Sequence, residues 1–141
     1  MASVSGAPVR MPGTRVPATR MPGAPVLAGL LATSGTAHLV TPWVFDAIVP
    51  RLLPGPVRGW TTASGIAELA VAGAVLAPAT RRAGAGVAAL LFVAVFPANV
   101  QMALDAFGPD GSRGRRAVGV ARLPMQVPLV MWALRIRRAA A

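Results

Sequence analysis

The sequence contains no cysteine. That excludes disulfides, thiol redox chemistry and iron–sulfur clusters held by this chain alone. There is one histidine, so two-histidine haem ligation within a single copy is excluded too. Charge is scarce: 13% of residues are charged, against about 25% in a soluble domain. Lysine is absent, so all fourteen basic residues are arginine, against four acidic ones. A net charge of +10 would ordinarily point to nucleic acid. Here the arginines fall in short clusters between apolar runs, which is how charges flank membrane spans. With 55% hydrophobic residues, the 141-residue chain reads as one all-α integral membrane domain. Its expected partner is the lipid bilayer, with no nucleic acid.

Residues 1–24 form a Pro/Gly-rich basic arm. A five-residue unit recurs in it as RMPGT, RVPAT and RMPGA, from Arg10 to Ala24. Proline at every fifth position forbids a helix and favours extended, solvated chain, so the arm is expected to be disordered. Its charge suits anionic headgroups. The apolar run that follows has no clean small-x-small cleavage site, so it is read as a span and not as part of a secretory signal.

Four spans are expected, over about 25–40, 60–79, 83–104 and 118–136. Between the first two, Thr41 and Pro42 read as N-cap and first helical position. Val44, Phe45, Ile48, Val49, Leu52 and Leu53 then mark one helical face. Residues 42–53 thus read as a short interfacial helix, with Trp43 and Trp60 as interface anchors. In the third span Pro97 should free a carbonyl near Val93 and kink the helix. Residues 105–117 read as a polar turn.

Orientation follows from arginine. Four spans put Arg10, Arg15, Arg20, Arg81, Arg82, Arg135, Arg137 and Arg138 on one side and Arg51, Arg58, Arg113, Arg115 and Arg116 on the other. The richer side belongs in the cytoplasm. The expectation is a multi-pass protein of the cell (cytoplasmic) membrane, the inner membrane of a two-membrane cell, with both termini cytoplasmic.

The polar residues of the spans share a depth. Glu68 is the one acidic residue inside a span. A carboxylate there is costly unless it is protonated, paired or wet, which marks a functional candidate. His38 lies near the outer end of the first span, and Asn99 and Gln101 near that of the third. At about 1.5 Å per residue, Glu68 and Gln126 lie roughly 12 Å in from the outer side and Arg122 roughly 6 Å. Glu68 and Arg122 are the natural ion pair, since a guanidinium fork fits a carboxylate. His38, Glu68, Asn99, Gln101, Arg122 and Gln126 are therefore the candidates for ligand binding or proton handling. No residue is assigned a catalytic role, and no metal set is evident.

These residues also resemble a family. Gly35-x-x-His38-x-x-x-Pro42 with Ile48-Val49-Pro50 and Leu53-Pro54 is similar to the opening of small DoxX-like membrane proteins. Ser64-Gly65-x-x-Glu68-Leu69, Val95-Phe96-Pro97-Ala98-Asn99-x-x-Met102-Ala103 and Arg122-Leu123-Pro124-Met125-Gln126 resemble its later spans. Met125 stands where that family usually has Leu. The resemblance covers residues 25–138 and implies a four-helix membrane bundle. Some DoxX relatives are tied to quinone-linked sulfur oxidation or to membrane redox defence. It implies a subunit binding a quinone-like or lipid-like molecule beside a membrane or peripheral oxidoreductase, quinone being the one cofactor raised. The chain is not expected to be an enzyme on its own. A non-catalytic scaffold or assembly factor is the alternative, and a small-solute transporter a weaker one, since the two halves show no repeat. The oligomeric state stays open, a homo-oligomer included.

Overall fold

A computed structural model describes residues 23–109 and 111–140 of the chain. The expected disordered arm lies almost wholly outside the described residues. Six helices follow: α1 (Ala24–Val40), α2 (Pro42–Asp46), α3 (Val57–Leu76), α4 (Arg81–Ala94), α5 (Phe96–Asp105) and α6 (Arg113–Ala139). No strand occurs among the described residues.

Proline and glycine set most boundaries. Pro25 opens α1 and Pro42 opens α2, each in the first turn, where a missing N–H costs nothing. Thr41 does not cap α2 with its side chain as expected. Its hydroxyl donates back to the Ala37 carbonyl, 2.9 Å away, and closes α1 instead. The chain leaves α3 at Ala77 and Pro78. The last carbonyls of α3 are taken by side chains from beyond the turn: Thr80 Oγ1 donates to Ala74, and Arg81 donates to Val75 and Leu76. Ser112 caps α6 through the Arg115 amide.

The interfacial helix is shorter than its apolar pattern suggested. Only Pro42–Asp46 is helical, and residues 47–56 are turns. Pro50, Pro54 and Pro56 deny amides to any continuing helix. Gly55 takes φ 87°, a conformation open to glycine. The Asp46 side chain is meanwhile drawn to α3.

The third apolar stretch breaks where Pro97 foretold. Residues 81–105 form one run of 25 residues bent at Val95, between α4 and α5. In contrast, α6 carries Pro124 and Pro128 without interruption over its 27 residues.

The helices pack as a bundle in which α1 lies on α3, α3 on α4, and both α4 and α5 on α6. The apolar core fills one half, where the start of α1 meets the ends of α3 and α6. Leu27, Leu31, Val71, Val75, Ala85, Ala88, Phe92, Ala133 and Ile136 are buried there. The buried polar side chains, Thr61, Glu68, Asn99 and Gln126, lie toward the opposite end. Small residues let backbones approach. A Cβ on Gly84 would sit 2.7 Å from the Ala74 carbonyl carbon, and one on Gly119 3.0 Å from the Ala103 Cα. Packing through small residues is how helices associate where lipid, not water, surrounds them.

Apolar side chains also cover the outside, with Ile66, Leu90, Val93 and Val127 exposed. A helix apolar all round needs an apolar surrounding. Three helical stretches are long and apolar enough to cross a membrane: α3, the bent α4–α5 pair and α6. The fourth apolar helix, α1, is shorter, at 17 residues.

A candidate acid–base site and a closed amide network

The crossing of α1 and α3 is built on two glycines. A Cβ on Gly35 would lie 2.7 Å from the Gly65 carbonyl oxygen and 3.1 Å from the Glu68 Cβ. A Cβ on Gly65 would lie 2.8 Å from the His38 Cβ and 2.9 Å from the Gly35 carbonyl oxygen. The helices touch backbone to backbone, and each glycine is followed three residues later by a polar side chain. Glu68 stands against Gly35 and His38 against Gly65, and their side chains meet across the contact: His38 Nδ1 is 3.3 Å from Glu68 Oε2.

The hydrogen bonding at this meeting is unequal. His38 Nδ1 also lies 2.9 Å from the Ser34 carbonyl oxygen. A carbonyl only accepts, so Nδ1 carries the proton and donates it there. That single proton is then committed. The Ser34 hydroxyl bonds the Glu68 carboxyl, yet Glu68 Oε2 is buried and has no hydrogen-bond partner among the described residues. Glu68 is 8% exposed, so burial without a partner is costly. Phe45 of α2 stacks on the His38 ring with centroids 3.6 Å apart and fixes its plane.

A second tie holds the connecting loop over this end. Asp46 accepts from Arg58 Nε at 2.9 Å and from the buried Thr61 hydroxyl at 2.6 Å, and Arg58 Nη2 lies 2.7 Å from the same carboxylate. The Arg58 hydrogen bond, then that from Thr61, holds the Asp46 carboxyl below the usual aspartate range. It thus stays ionised at neutral pH.

Asn99 and Gln126 form a separate, closed network. Asn99 Nδ2 donates to Gln126 Oε1 at 2.9 Å. Gln126 Nε2 donates in turn to the Phe92 carbonyl, at the bend before Pro97. A proline bend leaves backbone carbonyls to be satisfied by neighbours, and Gln126 supplies that from α6. Both amides are buried.

The six sequence candidates are therefore not one constellation. His38 and Glu68 come together, as do Asn99 and Gln126. Gln101 turns along its own helix to Asp105, 2.9 Å away. Arg122 does not pair with Glu68. It is exposed, and its Nη1 lies 3.5 Å from the Met102 sulfur. It acts on Glu68 only through space, with no direct contact. The reason is helix order: α4 stands between α3 and α6, while the glycine crossing brings α1, and with it His38, directly onto Glu68. Ser34 and Phe45 were missed as site residues. The matching spacings Gly35-x-x-His38 and Gly65-x-x-Glu68 were the signal that could have found the pair. Among the described residues no cluster of side chains has the makeup of a metal site.

Comparison with known proteins gives one match. The model of a family described as a domain of unknown function, DUF8561, matches residues 27–137, and the chain belongs to that family. No curated protein and no solved structure matches.

Proposed function

We propose that this member of the DUF8561 family is a four-span protein of the cell membrane whose His38–Glu68 pair holds the polar head of a quinone-like or lipid-like molecule. The observation that carries this is the buried Glu68 Oε2, left without a hydrogen bond beside a histidine whose proton is spent on Ser34. A ligand hydroxyl would donate to that oxygen and relieve its burial. The His38 ring beside that oxygen keeps its Nε2 as a second polar atom for such a group. With no cysteine in the chain, electrons for a quinone would come from a membrane or peripheral oxidoreductase partner. In this reading α1 is the fourth span, and the arginine-rich ends of α4 and α6 face the cytoplasm together with both termini. The likeness to DoxX-like proteins is part of the same proposal. It is supported by the position of Gly35, His38, Gly65, Glu68, Asn99 and Gln126 at helix crossings.

The test is retention. Wild type and Glu68→Gln are extracted into native nanodiscs, and bound small molecules are measured by mass spectrometry beside a melting curve. The expected result is a quinone or lipid retained by wild type and lost from a folded Glu68→Gln protein. Equal retention, or none in wild type, overturns the reading. A scaffold role is the second reading, and the Asn99–Gln126–Phe92 network favours it, since that network is satisfied within the protein.

A further inference from the structure

The end of the bundle opposite His38 and Glu68 has a groove of its own. It is an open hollow of ≈ 330 Å³ between the start of α1, the start of α4 and the end of α6. Ligand sites run from about 300 to 1,000 Å³, so this one suits a headgroup rather than a whole lipid. Its floor is apolar, with Ala24 and Ile136, and Trp132, Arg81 and Arg135 line it. Arg81 is held in place: its Nε donates to the Val75 carbonyl at 3.1 Å and its Nη2 to the Leu76 carbonyl at 2.9 Å. Arginine has five donors, and these bonds use a minority of them. Arg82, Arg137 and Arg138 are exposed at the same end of the bundle.

The charge there has one sign. The four acidic residues of the chain are Asp46, Glu68, Asp105 and Asp110. None falls in the segments that build this end, which are 23–27, 76–82 and 132–140. Five arginines therefore face this side without a carboxylate from the same segments.

We propose that this groove is a binding site for the headgroup of an anionic phospholipid. The phosphate would sit between the Arg81 and Arg135 guanidinium groups, and the first part of the acyl chains would lie over Ile136. Trp132 belongs at such a level, since its ring suits the boundary between headgroup and hydrocarbon. Arginine clusters beside spans recognise anionic lipid by charge, and each one near the surface contributes about a fivefold gain in affinity. The proposal rests on the membrane reading above but not on the His38–Glu68 site.

Tryptophan fluorescence tests it directly. The chain has three tryptophans, and Trp43 and Trp60 lie at the other end. A Trp43→Phe/Trp60→Phe protein therefore reports from the groove alone. It is placed in nanodiscs of phosphatidylcholine carrying a minor fraction of lipid brominated on the acyl chain, either phosphatidylglycerol or phosphatidylcholine. The expected result is stronger quenching by the brominated phosphatidylglycerol. Arg135→Gln should weaken that preference about fivefold, while Arg113→Gln at the opposite end leaves it intact. Equal quenching by the two lipids in the parent protein, or an undiminished preference in Arg135→Gln, overturns the proposal. Loss of the preference on adding millimolar inorganic phosphate at constant ionic strength would mark a site for free phosphate, and overturns it as well. Failure to enter nanodiscs at all would instead sink the membrane reading on which the proposal stands.

Discussion

Gly35 of α1 and Gly65 of α3 face each other so closely that neither has room for a methyl group. A Cβ on either would fall within 3 Å of the other's carbonyl oxygen. The pair fixes both the distance between the helices and their register. With the register fixed, Glu68 stands against Gly35 and His38 against Gly65, and the two side chains meet across the contact.

Gly35→Ala and Gly65→Ala should each separate α1 from α3. Overpacking of this kind costs about 1–3 kcal/mol. Gly73→Ala is the control, since a Cβ there meets nothing within 4 Å. Melting in detergent should show a lowered transition for the first two and none for the third. A Gly35→Ala protein as stable as wild type would mean that the crossing tolerates more space than its geometry implies.

The amide network gives a second prediction. Gln126→Leu leaves the Asn99 amide and the Phe92 carbonyl buried without their partner, at about 1–3 kcal/mol for each unsatisfied group. Asn99→Leu combined with Gln126→Leu should recover part of that loss, because one orphan is removed with its partner. Unfolding of the two single variants and the double variant makes the cycle. Strictly additive losses would mean that Asn99 and Gln126 do not share a bond.

How much of this could be read beforehand differs residue by residue. The break at Pro97 and the start at Pro42 were legible, because proline acts through its own backbone. That three apolar stretches reach membrane length was legible for the same local reason. The extent of α2 was not. Its apolar pattern continues to Leu53, but the prolines and the Asp46 tie to Arg58 and Thr61 overrode it. The partner of Glu68 was legible only through the matching spacings Gly35-x-x-His38 and Gly65-x-x-Glu68, not through charge. Pairing by opposite charge led to Arg122, whereas the true neighbour is set by which helices touch. On α6 the buried stripe is Gly119, Gln126 and Ala133 at seven-residue spacing. Arg122 lies on that same face, between Gly119 and Gln126, but its long side chain reaches outward to the Met102 sulfur and is exposed.

Acid should open the loop that closes this end. The Asp46 carboxyl lies below its ordinary range in the folded chain because Arg58 and then Thr61 donate to it. A depressed folded value means that its contribution is complete above the ordinary aspartate value. The contribution is lost as pH falls through the lower, folded one. The tie should therefore hold from neutrality down to about pH 4 and fail below it. Trp60 reports it, since its indole donates to the Pro54 carbonyl within the same loop. Its emission should step at acid pH in wild type, and Asp46→Asn should lack the step. Arg58→Gln should move the midpoint upward. An acid step unchanged in Asp46→Asn would assign it to another group.

The last prediction concerns the path of the chain through the bilayer, where α1 decides between three spans and four. At about 1.5 Å per residue, its 17 residues reach roughly 25 Å, a little short of a hydrocarbon core of about 30 Å. That shortfall is within what a bilayer absorbs by local thinning, at fractions of a kcal/mol per Å. The α1–α3 crossing at Gly35 and Gly65 also needs α1 at the depth of α3, so α1 should span. The absence of native cysteine makes the measurement clean. Single cysteines go at Leu52 and Phe107 on one end of the bundle and at Ala79 and Ala139 on the other. All four positions are exposed. In intact cells a membrane-impermeant maleimide should label the first two, and the second two only after permeabilisation. If α1 lay along the surface, the 47–56 loop would remain on the side of the N-terminus. Leu52 and Phe107 would still agree, because α3 and α4–α5 lie between them. The deciding position is then one ahead of α1. A cysteine at Gly23 should behave like Ala79 if α1 spans, and like Leu52 if it does not.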